Sequence, residues 1–321
     1  MIKRFLSVFE PFILMLLGTV LLASLLPARG GWATAASYAA DIAIVLLFFL
    51  HGAKLSREAI VAGLRNWKLH LAVLAVTFVA FPLLGLGLSR VVDGQLAAGI
   101  LFLTLLPSTV QSSIAFTAIA RGNVAAAVCS ASFSNLLGIV VTPALVALLM
   151  STSGSGGVSV ESVEAIVLQL LVPFVAGHLL RPWIGAWVKR RKAMLTVVDR
   201  GSILLVVYSA FGAAVVEGLW HRVSGGDLLL LGVLCCVLLA FVLGLTWSVA
   251  RLMKLPREDV IVLQFCGSKK SLASGVPMAG VLFPAAQVGV ILLPVMLFHQ
   301  IQLIACAVIA RRYAEGAPPG E

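Results

Sequence analysis

The chain has 321 residues, of which 61% are hydrophobic and only 11% charged, with a mean hydropathy of +1.09 and a net charge of +10. A soluble domain carries about 25% charged residues, so this composition excludes a water-facing globule and calls for lipid as the solvent. The basic residues sit in short clusters between apolar runs rather than along one face, which speaks against nucleic acid as a partner and fits the positive-inside rule.

A helix needs about 20 apolar residues to cross a hydrocarbon core about 30 Å thick. Lys3 and Arg4 lead an apolar run to Leu26, with Ala33-Thr34-Ala35 beyond it as a conceivable cleavage site. The run exceeds a signal-peptide core and similar runs follow, so a retained first span is expected. In chain order, spans are predicted near 9–27, 36–53, 69–90, 96–119, 124–149, 163–180, 200–217, 227–250, 260–283 and 286–310. With the N-terminus inside, 18 of the 23 basic residues fall on the cytoplasmic side and three (Arg29, Arg90, Arg222) on the other. Lys269 and Lys270 remain within a span. One missed helix would scramble that asymmetry, so it predicts ten spans in an inner (plasma) membrane with both termini cytoplasmic.

The Gly/Ser-rich stretch at 151–160 divides the chain into two five-span halves, 1–150 and 151–312, followed by a short polar tail, 313–321, expected to be disordered. Pro11-Phe12 and Pro173-Phe174 open corresponding spans, the fourth span of each half is the polar one, and each fifth span carries a late proline, Pro143 and Pro294. Five is odd, so the second half enters from the opposite side. The expectation is an all-α polytopic membrane protein built from two inverted repeats.

Two segments carry the polar chemistry. The run LFLTLL is interrupted by Pro107, Ser108, Thr109, Val110, Gln111, Ser112 and Ser113. Proline removes a helix donor, and irregular backbone at membrane depth is tolerated only where protein or a wet cavity satisfies it. A proline-kinked packing helix accounts for one or two of these hydroxyls, but not for Gln111 with four of them. The second segment, FCGSKKSLASGVPM, places Ser268, Lys269, Lys270 and Ser271 among the candidate breakers Gly267, Gly275 and Pro277. Each lysine at a helix centre costs about 2.5–3.5 kcal/mol on insertion scales, and both lie too deep to reach water by stretching. The predicted fifth span adds Ser130, Ser132, Ser134 and Asn135. Asn135 is the residue singled out there, because small residues also serve close helix packing.

Thr77 with Pro82 reads as a kinked packing helix, and Asp41 as a residue one turn inside its span. His51, His178 and His299 have no acidic partner in reach by sequence. The five cysteines (Cys129, Cys235, Cys236, Cys266, Cys306) lie in apolar runs, where they read as small buried hydrophobes, without a metal-ligand spacing. No nucleophile–base–acid set is recognisable, so an enzyme is not expected.

LPSTVQSS, the run GN…SNLLGIVVTPAL at 122–145 and FCGSKKSLASGVPM together resemble the bile acid:sodium symporter family, and within it the SBF-like subgroup, across essentially the whole chain. The resemblance implies a panel domain from spans 1, 2, 6 and 7 and a core domain from spans 3–5 and 8–10. It also implies discontinuous fourth and ninth helices that cross near the midplane, with ion sites at the crossing and an organic anion between the domains. Ion-ligand positions then fall on Ser112, Ser113 and Asn135, with a serine one turn before Asn135 and a contribution from near Thr77.

The departure is in the ninth span, where sodium-coupled members have an acidic residue followed by Gln-Asn. Phe265 stands at the acidic position and Lys269-Lys270 at the pair. By Coulomb reasoning two ammonium groups and no carboxylate disfavour sodium, whereas an ammonium can occupy the place of the cation. The functional expectation is an alternating-access carrier of a small organic anion, coupled to Na+ or H+ or altered by the lysine pair. The other reading is a regulatory or lipid-handling membrane protein that carries no soluble solute. Lysine contacts to oxygens of Ser112, Ser113 and Asn135 would favour ion replacement.

Overall fold

Lipid offers no hydrogen-bond partner to the backbone, so an apolar run that enters it must close its N–H and C=O groups within the segment as helix. The computed structural model describes residues 11–54, 66–150 and 167–316, and among these the regular structure is helical throughout, with no strand. Lys3, Arg4, Arg57, Arg65, the stretch 151–160 and the end of the tail lie outside the described residues.

The helices are α1 (Pro11–Leu25), α2 (Gly31–Lys54), α3 (Trp67–Leu88), α4 (Gly94–Leu105), α5 (Gln111–Ile119), α6 (Val124–Met150), α7 (Val172–Arg190), α8 (Lys192–Val216), α9 (Leu219–Arg222), α10 (Gly225–Leu252), α11 (Arg257–Gly267), α12 (Leu272–Leu282) and α13 (Ala285–Glu315). A π turn, Val76–Ala80, interrupts α3, and another, Val167–Leu171, precedes α7. Six helices among the described residues are long and apolar enough to cross a membrane, and Leu14–Leu25 and Gly94–Leu105 are shorter apolar helices.

Polarity is inverted relative to a soluble protein. Leu21, Leu25, Trp32, Ile42, Leu83 and Leu229 are exposed, while Thr77, Ser108, Ser113, Lys269, Lys270 and Gln302 are buried. Large apolar side chains on the surface, with the polar groups gathered inside a largely apolar core, are what a lipid solvent selects.

The chain forms two compact units. In one, α2 packs against both α7 and α8, and α1 against α8; residues 276–292 belong to the same unit. The other contains α3–α6, α10, α11 and residues from 293 onward. Within it α5 packs on α6 and α11, and α3 on α4, α6 and α11. The first unit also carries an ion pair between Lys54 and Asp199. In the second, Asp259 near the start of α11 accepts from Asn66 at 2.8 Å and from Asn123 at 3.0 Å.

Three expectations need correction. α2 begins at Gly31 rather than near 36, so Asp41 lies almost three turns into the helix, on an exposed position. The stretch 181–199, read as a connecting loop, is helical except at Arg191, because α7 continues through Pro182 to Arg190 and α8 starts at Lys192. Gly275 and Pro277 do not break a helix; both lie inside α12. The interruption comes earlier, at 268–271, where Ser271 caps α12 by accepting from the Ser274 N–H at 3.1 Å.

The contact of α2 with α7 depends on two glycines. A Cβ on Gly52 would overlap the carbonyl of Phe174, and one on Gly177 the carbonyl of Phe49. Backbone cannot step aside as a side chain can. Gly52→Leu and Gly177→Leu are each expected to cost at least about 1–3 kcal/mol of overpacking. Both should lower the melting temperature in detergent, whereas Gly18→Ala, with nothing within 4 Å of its Cβ, should leave it unchanged.

Candidate functional site

The site arises where two helix breaks hydrogen-bond each other. α4 ends at Leu105, the chain runs extended through Leu106, and α5 starts at Gln111. The break frees the last carbonyls of α4 and those that follow, and each meets a specific donor. Thr104 and Leu106 carbonyls accept from the Lys270 ammonium at 2.8 and 2.6 Å. The Leu105 carbonyl accepts from the Thr142 hydroxyl at 2.8 Å, that of Pro107 from the Ser271 N–H at 2.8 Å, and that of Ser108 from Asn135 Nδ2 at 2.7 Å. The Ser108 N–H donates to Ser134 Oγ at 2.9 Å.

The end of α11 is met in the same way. Ser268 Oγ donates to the Gln264 carbonyl at 2.5 Å, Ser113 Oγ to that of Phe265 at 3.0 Å and Ser108 Oγ to that of Cys266 at 2.5 Å. Gln302 of α13 lies along the Lys270 peptide groups. Its Oε1 accepts from the Lys270 N–H and its Nε2 donates to the Lys270 carbonyl, both at 2.9 Å. Asn135 links the two breaks, since its Oδ1 also accepts from Ser274 Oγ at 2.8 Å.

The third oxygen on Lys270 has a local cause in α3. The Thr77 carbonyl would ordinarily receive the Phe81 N–H, but the π turn sends that N–H to Val76, and the next residue, Pro82, has none. The orphaned carbonyl accepts from Lys270 Nζ at 2.8 Å. Three oxygens thus use the three N–H bonds of the ammonium, whose remaining side faces the Phe81 ring, 4.1 Å from its centroid. The Thr77 hydroxyl itself turns back to the Val73 carbonyl.

Lys269 has a different environment. Its Nζ is fully buried and has no hydrogen-bond partner among the described residues. It lies 4.1 Å from the centroid of Phe116 and 5.2 Å from that of Phe265. Phe265 therefore fills the place expected for an acidic anchor with a ring, which also packs edge-on against Tyr313.

The other candidates sort themselves by these bonds. Thr109 and Ser113 share a hydroxyl–hydroxyl bond of 2.8 Å, and Ser112 donates to Thr109 at 2.9 Å. Gln111 is exposed, and Ser132 is half-buried and carries none of these bonds; Ser134 is the serine of α6 that meets the break. The lysines do not touch Ser112, Ser113 or Asn135 oxygens, as ion replacement was expected to show; Lys270 uses backbone carbonyls instead. Gly267 lies against Thr246, and Gly275 packs against the Leu106 side chain, whose Cδ1 would be 2.5 Å from a Cβ there. Thr104 and Gln302 were missed from sequence, and Ser134 was noted among the serines of its span without being singled out. Gln302 had a signal, an amide in the middle of an apolar run, of the kind that marked Gln111.

Replacing Gln302 by Leu leaves a buried N–H and a buried C=O of Lys270 unpaired, at about 1–3 kcal/mol for each group. Gln302→Leu should lower the melting temperature more than Gln111→Leu, whose side chain is exposed, when both are compared with the parent in one detergent.

Described residues that are helical throughout, with an apolar exterior and two buried helix breaks hydrogen-bonded to each other, define a polytopic membrane protein. A family profile described as the SBF-like CPA transporter family matches residues 10–315. Similar chains include uncharacterized protein PA2026 of Pseudomonas aeruginosa PAO1, 59% identical over 95% of this chain and 93% of its own. YfeH of Escherichia coli K12, named as a candidate symporter, is 55% identical over the same shares. Sodium/bile acid cotransporter 7 of Rattus norvegicus is 29% identical over 84% of this chain and 81% of its own. The chain belongs to the SBF-like CPA transporter family, and it is a membrane transporter rather than an enzyme.

Proposed function

We propose that this protein is a secondary carrier of a small organic anion that works by alternating access, with the Lys270 ammonium standing where sodium-coupled relatives hold a cation. The observation that carries this reading is the set of three backbone carbonyls around Lys270 Nζ, from Thr77, Thr104 and Leu106. A small cation and an ammonium ask the same thing of such a cradle, inward-pointing oxygens at hydrogen-bond or coordination distance. A permanent tethered cation would hold the two breaks together without a diffusing ion.

In this reading the chain crosses the inner membrane ten times as two inverted five-helix repeats, with both termini cytoplasmic. α4–α5 and α11–α12 form the discontinuous fourth and ninth spans. The panel comprises spans 1, 2, 6 and 7 and the core spans 3–5 and 8–10, a division supported by the composition of the two compact units. The name of the rat relative suggests a bile acid as substrate and sodium as coupling ion; a proton is the other coupling ion in this reading. Sodium has less to recommend it at this crossing, because the carbonyls already face an ammonium and Phe265 supplies no negative charge.

Proteoliposome uptake of taurocholate and a panel of smaller organic anions, with sodium and pH gradients imposed separately, tests the proposal. Uptake should persist without sodium and fall at least tenfold in Lys270→Ala, and methylammonium, which can re-enter the vacated cradle, should restore part of it. Sodium-dependent uptake that survives Lys269→Ala and Lys270→Ala would rule out cation replacement. If no anion crosses but the lysine substitutions alter binding to another membrane component, the non-transporting reading takes its place.

A further inference from the structure

The two adjacent lysines have opposite surroundings. We propose that they divide the work: Lys270 is a permanent cation of the core, and Lys269 is the site that takes up and gives up a proton during the cycle. The inference rests on the transporter reading above and deepens it by naming the coupling ion as H+ and its carrier as a single amine.

The geometry distinguishes the two groups without reference to any relative. Lys270 Nζ has an oxygen for each of its three N–H bonds. Removing its proton would leave carbonyls from two helices facing one another with too few donors. Lys269 Nζ, equally buried, has none. The carbonyls of Phe265 and Cys266, at the end of α11 just before it, already accept from Ser113 and Ser108. What it meets instead are the rings of Phe116 and Phe265. Rings attract a cation by about 0.5–2 kcal/mol, well short of replacing the hydration of a buried ammonium. A neutral amine between two rings needs no acceptor, so this packing suits the unprotonated form, and the protonated form calls for a rearrangement that brings water or an anion to Nζ.

The groups around Lys269 do not offer a counter-charge. Cys306 on α13 and Cys266 at the end of α11 are the titratable groups that act on it, and it acts in turn on His299 of α13. Tyr313, against Phe265, sits beside Arg257, which donates to the Tyr313 carbonyl. No carboxylate faces Lys269 among the described residues. The step is a proton transfer only: the ε-ammonium releases H+ to water on the side where the site is open, leaving the amine and its lone pair, and the amine accepts H+ on the other side.

The test needs no substrate. The chain has only six other lysines, so lysine-selective ε-13C labelling of the full-length protein in nanodiscs gives few signals, and Lys269→Met and Lys270→Met assign the two buried ones by loss. Across a titration from about pH 6 to 10, where lysine ε-carbons report protonation, the signal lost in Lys269→Met should move and the one lost in Lys270→Met should stay at its ammonium position. A Lys269 signal that stays at the ammonium position throughout, or a Lys270 signal that moves first, overturns the assignment. Should Lys270→Met fail to fold, the Lys269→Met comparison still decides, because it identifies the signal that has to move below the ordinary lysine range. Lys269→Arg gives an independent reading: a guanidinium cannot discharge, so this variant should lose folded yield while Lys269→Met keeps it. Equal tolerance of Arg and Met at 269 would count against the proposal. Absence of flux for every anion would defeat the transport reading while leaving the titration result intact.

Discussion

Backbone carbonyls released at a helix break must find donors, and inside a membrane water is not there to supply them. That constraint organises the core of this protein. Thr104, Leu105, Leu106, Pro107 and Ser108 lose their helical partners in succession, and Lys270, Thr142, Lys270 again, Ser271 and Asn135 replace them. The donors come from α6 and from the α11–α12 junction, so satisfying one break ties both to α4–α5. The junction is satisfied in return by Ser108, Ser113 and Gln302. Neither break is stable alone; each is a condition for the other.

A consequence is that charge sits where it does for a structural reason before any functional one. The ammonium of Lys270 is the one donor group at the crossing that can serve three carbonyls at once, and the π turn of α3 delivers the third. Pro82 and the shifted Phe81 N–H expose the Thr77 carbonyl at the point where the lysine arrives. In the proposed account, a fixed cation gives the crossing permanently what a coupling ion would give it only while bound. The adjacent Lys269, with rings in place of oxygens, is then free to serve a different purpose.

Much of this was legible in the sequence, and the parts that were not have physical explanations. Composition and charge asymmetry gave a lipid-solvated helical protein, and Pro107 and the lysine pair marked the two breaks, because intramembrane proline and charge are too costly to be incidental. Which residues would touch was not legible. Asn135 was found because an amide is conspicuous in an apolar helix, and Ser132, one turn before it, shares its side of the helix; Ser134, two residues on from Ser132 and so on a different side, is the one that meets the Ser108 N–H. The oxygens around Lys270 are carbonyls, to which the sequence gives no side-chain signature. Gly275 and Pro277 looked like breakers but sit inside α12, where the glycine admits Leu106 and the helix is started upstream by Ser271.

The central claim is that a tethered ammonium occupies a cation site, and equilibrium binding of radioactive 22Na+ to the purified protein tests it most directly. The account predicts no saturable sodium binding by the parent chain and a gain of binding in Lys270→Ala, where the three carbonyls are left without their donor. Saturable binding by the parent that is unchanged in Lys270→Ala would contradict it, because sodium would then have a site of its own elsewhere and the lysine would not stand in for it.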